Sequence, residues 1–329
     1  MNVGPGQYRK AFIMQPLVGS IVAMDVREFK GLRALIHRET GIWLKDGKQV
    51  MLASRLSKRL RYHGMSDFAA YAAYIGKVQD GGQELAEMIN CVTTNKTSFF
   101  REMHHFDFLA KTLVPQAEAR ALLGGPRSIR IWSAACSTGE EPYSIAISLL
   151  EALKPGRVPA SLPAGPIQPV SSPGGWRIEV VASDIDTTVL ATAAEGIYGE
   201  ESLGDIPAAI QNKYFLRGKA DMSGRVRVKN DLGQLIKFRR INLMDSQWAL
   251  EGLFDAIFFR NALIYFNQDT QEIFLRKMLR YLNPGGYLVL GHSEHVPWLN
   301  DAAEAIGHTI HRLRAGRGAA PVPGSRPPQ

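Results

Sequence analysis

Four polar runs in this chain fall where the strands of an α/β sheet would end. The first is Ala134-Ala135-Cys136-Ser137-Thr138-Gly139-Glu140-Glu141-Pro142, which follows the apolar run Ile129–Ser133 and leads into a helix whose first turn Pro142 suits. It contains neither GxGxxG nor GK[S/T]. Glu140 and Glu141 stand near the helix N-terminus, where a phosphate-binding loop would present an electropositive end. Dinucleotides and nucleoside triphosphates are therefore disfavoured. A ligand that lacks phosphate but carries an amine or a sulfonium tolerates such an acidic rim, and S-adenosylmethionine is one. The second run ends in Ser183-Asp184-Ile185-Asp186. A carboxylate at that position can accept hydrogen bonds from ribose hydroxyls; the competing reading is that Asp184 only caps the next helix. Asn242 and Asn261 end the third and fourth runs.

Other reactive residue types point to less. His104–His105 and the pair His292/His295 could ligate metal by type alone, but the sequence offers them no cysteine or carboxylate at metal-ligand spacing, so no metal is expected. Cys136 lies in the first loop without a motif-adjacent base, which argues against a thiolate nucleophile. Lys48 to Tyr62 carries Lys48, Arg55, Lys58, Arg59 and Arg61 and no acid. Arg55, Arg59 and Tyr62 share one helical face, while Leu52, Leu56 and Leu60 form the opposing apolar stripe. A helix docked by leucines and displaying cations suits an acidic helical substrate. A merely solvated basic face is the alternative.

The elements that must position these residues fall into two textures. From 25 to 121 the chain reads as helices: Asp25 caps a segment running to Thr40 with Gly41 as its stop, Gln49–Tyr62 follows, Ser66 caps Asp67–Val78, and Gln83–Val92 and His104–Ala121 complete the set. From 129 onward, short β-branched runs (Ile129–Ser133, Arg177–Ser183, Leu235–Asn242, Asp255–Arg260, Tyr287–Leu290) alternate with helical stretches, which predicts a doubly wound parallel sheet. Val226, Val228 and Gly224 mark a small antiparallel insert within 214–240. The expected organisation is a flexible N-terminus over 1–20, a helical domain over 21–124, and an α/β domain over 125–314. A mobile Pro-rich loop is expected over 154–175 and a disordered tail over 315–329.

Composition agrees with an ordinary globular chain: 329 residues, 45% hydrophobic and 21% charged, with two cysteines, Cys91 and Cys136, that exclude a disulfide framework. No run of about 18 apolar residues is present, and Met1–Ser20 makes a poor signal peptide. A cytoplasmic protein without a transmembrane segment, acting as a monomer, is expected. The net charge of +8 asks for an acidic partner without naming it.

Trp132–Ala146 (WSAACSTGEEPYSIA), Thr93–Glu102 (TTNKTSFFRE), Ala182–Asp186 (ASDID), Phe254–Phe266 (FDAIFFRNALIYF) and Gly291–Glu294 (GHSE) together resemble the chemotaxis receptor glutamate O-methyltransferases, the CheR family, over roughly 25–314. The resemblance implies an N-terminal all-helical domain and an S-adenosylmethionine-dependent methyltransferase domain with a small inserted β-subdomain. The implied reaction converts glutamate side chains of methyl-accepting chemoreceptors, in their acidic helical cytoplasmic region, to methyl esters, with S-adenosylhomocysteine as co-product. It implies cofactor contacts at Asn95, Thr97, Arg101, Glu140, Asp184, Asn242, Leu243, Asn261 and Ala262. Arg101 and Tyr265 are implied nearest the methyl-transfer site, and Arg55, Lys58, Arg59 and Arg61 face the receptor helix. Three features depart from the family pattern: the 154–175 linker is long, position 262 is alanine, and Ala220 stands where members that tether a receptor C-terminal pentapeptide have glycine.

That chemistry is consistent with the residues. A glutamate is ionised at neutral pH, with a reference pKa near ~4.3, so it needs alignment and desolvation more than a general base. Arg101 could hold the attacking carboxylate or the cofactor's own by a charge-assisted bond, and Tyr265 could orient through its hydroxyl. Two other classes compete. A nucleic-acid methyltransferase would carry an Asn/Asp-Pro-Pro-aromatic motif or a Pro-Cys nucleophile, and the fourth strand ends instead in Arg260-Asn261-Ala262-Leu263; no nucleic acid is therefore expected. A non-catalytic cofactor sensor would have less reason to keep Glu140, Asp184, Arg101 and Tyr265.

Overall fold

The computed structural model describes residues 22–77, 82–153, 173–307 and 309–314. The expected flexible N-terminus, all but the last three residues of the Pro-rich loop, and the expected tail lie outside the described residues.

Helix α1 (Val26–Thr40) starts at a capping box, in which Asp25 accepts from the Glu28 amide and Glu28 accepts from the Asp25 amide, and stops at Gly41 with φ 75°. Helix α2 (Gln49–Tyr62) buries Leu52, Leu56 and Leu60, as the leucine spacing requires. Helix α3 (Phe68–Ile75) is capped by Asp67, one residue later than the expected Ser66; the Asp67 carboxylate reaches the Ala70 amide, and Ser66 instead donates to Asp67. Helix α4 (Gln83–Val92) closes the bundle, which packs around Phe29, Leu32, Leu56, Phe68, Tyr71 and Met88. Helix α5 (His104–Phe108) then passes through a π-helical turn, Leu109–Leu113, into α6 (Val114–Leu122).

Next come β1 (Ser128–Ala134), α7 (Glu140–Ala152), β2 (Arg177–Asp184), α8 (Thr187–Glu195), β3 (Ile197–Gly199), α9 (Ala208–Tyr214), β4 (Phe215–Arg217), β5 (Arg225–Val228) and α10 (Asn230–Gly233). The described residues end with β6 (Ile236–Arg240), β7 (Phe254–Phe259), α11 (Gln268–Leu279), β8 (Leu282–Leu290), β9 (Ala303–Gly307) and β10 (Ile310–Leu313). Seven strands form one sheet in the order β6-β2-β1-β7-β8-β10-β9. The first five run parallel, and β10 and β9 pair antiparallel. Period-two alternation divides each central strand between two apolar layers: Ile129, Ile131, Val180, Ala182, Ala256 and Phe258 face one, and Trp132, Ala134, Val181, Ile257 and Phe259 the other.

The small antiparallel sheet, β3-β5-β4, spans Ile197 to Val228 rather than 214–240. Residues 236–240 belong to the large sheet, paired in parallel with β2 from Val180↔Ile236 to Asp184↔Arg240. The short helix α10 ends the insert and returns the chain to the main sheet. Ala220 adopts φ 51°, the left-handed region that favours glycine.

The helical and α/β parts are joined by direct bonds. Asn242 Nδ2 donates to Glu39 O at 2.6 Å, the Trp43 amide donates to Tyr265 O at 2.8 Å, and Ile42 forms an antiparallel bridge with Phe266. Gly41 sits in this seam; a Cβ there would stand 3.0 Å from Met244 Sδ, 3.0 Å from Thr270 Cγ2 and 3.2 Å from Phe274 Cζ. Gly41→Ala is expected to destabilise the protein by at least roughly 1–2 kcal/mol from the left-handed backbone alone, read as a lower urea midpoint. An unchanged midpoint would show that the seam relaxes freely.

Candidate active site

A cleft of about 470 Å³ opens at the carboxyl ends of β2, β1 and β7, on the side of an open α/β sheet where ligands bind and at the reversal of strand order between β1 and β7. Its volume lies in the range of small-molecule sites. Four segments close it: the turn after β1, the loop after β7, the extended stretch Thr93–Ser98 with Arg101, and the stretch from Ile42 to Arg55.

The turn after β1 is held by β2. Asp184 Oδ2 accepts the Ser137 amide at 2.9 Å and Oδ1 accepts the Asp186 amide at 3.0 Å. Asp186, not Asp184, caps α8, which removes the competing reading of Asp184. Burial pushes the Asp184 carboxyl above its usual range, against the two amides that pull it down. Ser137 Oγ donates to Asn95 O at 3.0 Å, and the Asn95 side chain donates to Asp186 Oδ2 at 2.8 Å.

The segment carrying Arg101 is unusually shaped. Phe100 and Glu102, on either side of it, have φ of 52° and 61°, a conformation that costs non-glycine residues free energy and clusters at functional sites. What holds it is Arg260. Its guanidinium, essentially buried, donates to Arg101 O, pairs with Glu102 Oε2 at 3.2 Å, and pairs with Glu141 Oε2 at 2.9 Å. Glu141 is fixed in turn by Ser133 Oγ at 2.7 Å, and Glu102 by Asn261 Nδ2 at 3.1 Å and His292 Nδ1 at 3.0 Å. Burial would raise the Glu102 carboxyl, but the bonds from His292 and Asn261 and the charge of Arg260 outweigh it and hold the group down at about 2.

Asn261 lies at φ 58°. Its loop is clamped by the buried carboxylate of Glu294, which accepts the amides of Asn261 (3.0 Å), Leu263 (2.8 Å) and Gly291 (2.7 Å). Gly291 is required there, since a Cβ would meet Asn261 Nδ2 at 2.5 Å and Asn261 N at 2.8 Å.

Of the residues singled out from sequence, Asn95, Thr97, Arg101, Asp184, Asn261, Tyr265 and Arg55 line the cleft. Glu140, Asn242, Leu243 and Ala262 are not among its lining residues. Glu140 is buried and accepts from Thr138 Oγ1 at 2.6 Å, while its neighbour Glu141 faces the cleft. Lys58, Arg59 and Arg61 lie along α2, away from the lining. The absence of compensating acid on α2 holds only within the helix. Arg59 Nε donates to Glu84 Oε1 of α4 at 3.0 Å, and Glu84 also binds His63 and Tyr71, so Arg59 is a bundle-holding residue. Arg55 likewise donates to Val92 O, Thr93 O and Thr94 Oγ1. Lys58 and Arg61 remain exposed. Glu102 comes within metal-ligand distance of His104 and His105, a carboxylate the sequence spacing did not flag, but it is already engaged by Arg260, Asn261 and His292. The signals missed in sequence were Arg260 and Glu294, and the pairing of Glu141 with Arg260, each residue present in a quoted motif but with partners distant in the chain.

The donor and acceptor set fits a nucleoside-bearing zwitterion. Asp184 keeps lone pairs for a diol, and Lys96 can meet the ligand's carboxylate while Arg101 stays available to a second one. The turn after β1 leads to carboxylates where a phosphate cradle would stand. Fold and site together describe an α/β domain with a small-molecule cleft at its strand ends and an added helical domain, and the family match gives the class: a methyltransferase. The chain belongs to the CheR family of S-adenosylmethionine-dependent methyltransferases: residues 27–93 match the CheR methyltransferase all-alpha domain, and residues 95–163 and 167–311 match the CheR methyltransferase SAM binding domain. It is 41% identical over 284 residues to chemotaxis protein methyltransferase 2 of Pseudomonas aeruginosa, covering 86% of this chain and 92% of that one. It is 40% identical over 292 residues to the chemotaxis protein methyltransferase of Escherichia coli, covering 89% and 92%. No helix among the described residues is long and apolar enough to cross a membrane.

The depressed Glu102 pKa has a stability consequence. A carboxylate whose folded pKa lies below its unfolded one stabilises the fold above the unfolded value and loses that contribution as pH falls through the folded value. Glu102 is expected to contribute roughly 1–3 kcal/mol near neutrality once solvent screening is allowed for, lost between about pH 4.5 and pH 2. Urea unfolding at stepped pH should show this loss in the wild type and its absence in Glu102→Gln, which starts less stable at pH 7. Parallel curves for the two proteins would refute the assignment.

Proposed function

We propose that this enzyme transfers a methyl group to glutamate side chains of methyl-accepting chemoreceptors in the cytoplasm, forming glutamyl methyl esters. The observation that carries the reading is the placement of Arg101, held between two left-handed residues and by Arg260, in the same cleft as Asp184 and Tyr265. Family membership and the named relatives support it.

When bound, S-adenosylmethionine supplies an electrophilic methyl group on a sulfonium, and S-adenosylhomocysteine leaves. Asp184, Asn95, Thr97 and Asn261 are the residues that would hold it. The acceptor carboxylate is already ionised and attacks without prior proton transfer. Lys45, Lys48 and Lys96, exposed around the cleft, draw an acidic segment in. Arg101 meets the carboxylate by a charge-assisted bond and fixes its angle. Arg260 acts at one remove, by keeping the Arg101 turn in shape. Tyr265, whose backbone is tied to Trp43, supplies a second orienting group at the mouth. Alignment and exclusion of water are what these groups contribute, and orientation of bound reactants can account for roughly 7–11 kcal/mol of barrier.

The test is transfer of labelled methyl to isolated chemoreceptor cytoplasmic domains, with duplex DNA and RNA as parallel acceptors and alkali lability scored. Alkali-labile label on the receptor is expected, lost when acceptor glutamates are changed to alanine. Arg101→Ala should lower kcat on the order of 10²-fold. Label on nucleic acid alone would overturn the reading.

A further inference from the structure

The rim of the cleft is mostly cationic, from Lys45, Lys48, Arg55, Lys96 and Arg101, but two of its lining side chains are large, apolar and exposed. Trp43 is 42% exposed and Ile264 is 56% exposed. Neither is loosely held. Ile264 lies in the one-turn 3₁₀ segment Leu263–Tyr265, whose Leu263 amide is bonded to Glu294. Trp43 donates its amide to Tyr265 O, and its predecessor Ile42 bridges to Phe266. The Trp43 ring stands edge-on to His37 with centroids 5.2 Å apart, and the Arg33 guanidinium carbon lies 5.5 Å from the ring centre. Arg33 is itself bonded to Asp46 at 2.6 Å. The indole is thus braced on one side and open on the other.

The Ile42–Phe266 bridge and the Trp43 amide–Tyr265 carbonyl bond put Trp43 opposite Tyr265 in antiparallel register, where Cβ atoms stand about 4.5–5.5 Å apart. That spacing matches side chains three or four residues apart on a helix, whose Cβ atoms are about 5–6 Å apart. A braced, half-exposed tryptophan is also the residue type that dominates binding at interfaces, because it brings large area at little entropic cost.

We propose that Trp43 and Ile264 form the apolar half of the acceptor-docking surface, and that the partner is an acidic amphipathic helix with an apolar side chain one turn from the glutamate to be methylated. The inference rests on the function proposed above and adds a specificity element to it. The lysines at the rim set attraction to acidic segments in general; the Trp43–Ile264 platform selects which glutamates on such a segment are presented. A glutamate flanked one turn away only by charged residues would place a charge against the indole and desolvate it without a partner.

The experiment uses the full-length enzyme and an isolated chemoreceptor cytoplasmic domain. Trp43→Ala and Ile264→Ala are each expected to raise the acceptor KM roughly 5–10-fold, with S-adenosylmethionine affinity by calorimetry unchanged within about twofold. Trp43→Leu, which keeps apolar area, should recover much of the loss. Lys48→Ala should also raise KM, but its effect should shrink at high salt while that of Trp43→Ala persists. Replacing the apolar receptor residue one turn from the acceptor glutamate by serine should raise KM similarly, and Trp43→Ala should then add little. Receptor methylation with unchanged KM in both alanine variants, or a fall in cofactor affinity that tracks the KM change, would overturn the docking surface alone. No transfer to the receptor by wild-type enzyme would overturn both this inference and the proposed function.

Discussion

Arg260 sits with almost no solvent contact between the carboxylates of Glu102 and Glu141 and also bonds the carbonyl of Arg101. Buried charges are expensive to place and more expensive to leave unpaired, so this arrangement tolerates little variation in the position of its members. Glu102 comes from the segment leading into α5, Glu141 from the first turn of α7, and Arg260 from the end of β7. Three segments distant in the chain are thereby held in one register. The strained turn that projects Arg101 persists because its neighbours leave it no cheaper alternative.

Two further carboxylates do the same elsewhere, Glu294 for the loop after β7 and Asp184 for the turn after β1. All four accept backbone amides or a guanidinium, and each shapes the cleft by positioning backbone. The cleft is built mainly by acids that position backbone, with cations on its rim. This division explains how a cleft with a cationic rim can be so rich in buried acid. The acids are satisfied from inside, and the uncompensated charge facing outward is positive.

Much of this was legible in the sequence, for local reasons. Asp25 and Gly41 bracket α1, the leucines at 52, 56 and 60 define the buried face of α2, and β-branched runs mark the central strands within a residue or two. Strand-end position alone nominates Asp184, which the structure places in the cleft. What remained hidden depended on long-range pairing. Arg59 looks uncompensated until Glu84, on another helix, is folded against it. Arg260 and Glu141 are 119 residues apart, and nothing local announces their contact. Strand β6 was placed both in the main sheet and in the small insert, because a short run with arginines fits either. Parallel pairing with β2 decides it. Strands β9 and β10 carry too little apolar alternation to stand out.

The seam at Glu39–Trp43 also limits how relatives can be recombined. A boundary between the helical and cofactor-binding segments falls near residue 94 in sequence, yet the pairs Glu39–Asn242, Ile42–Phe266 and Trp43–Tyr265 cross it. A chimera spliced there inherits the loop after β7 from one parent and the bridged segment that braces that loop from the other. Exchangeable units in this architecture are therefore contact sets: the 39–44 segment travels with the 261–274 segment.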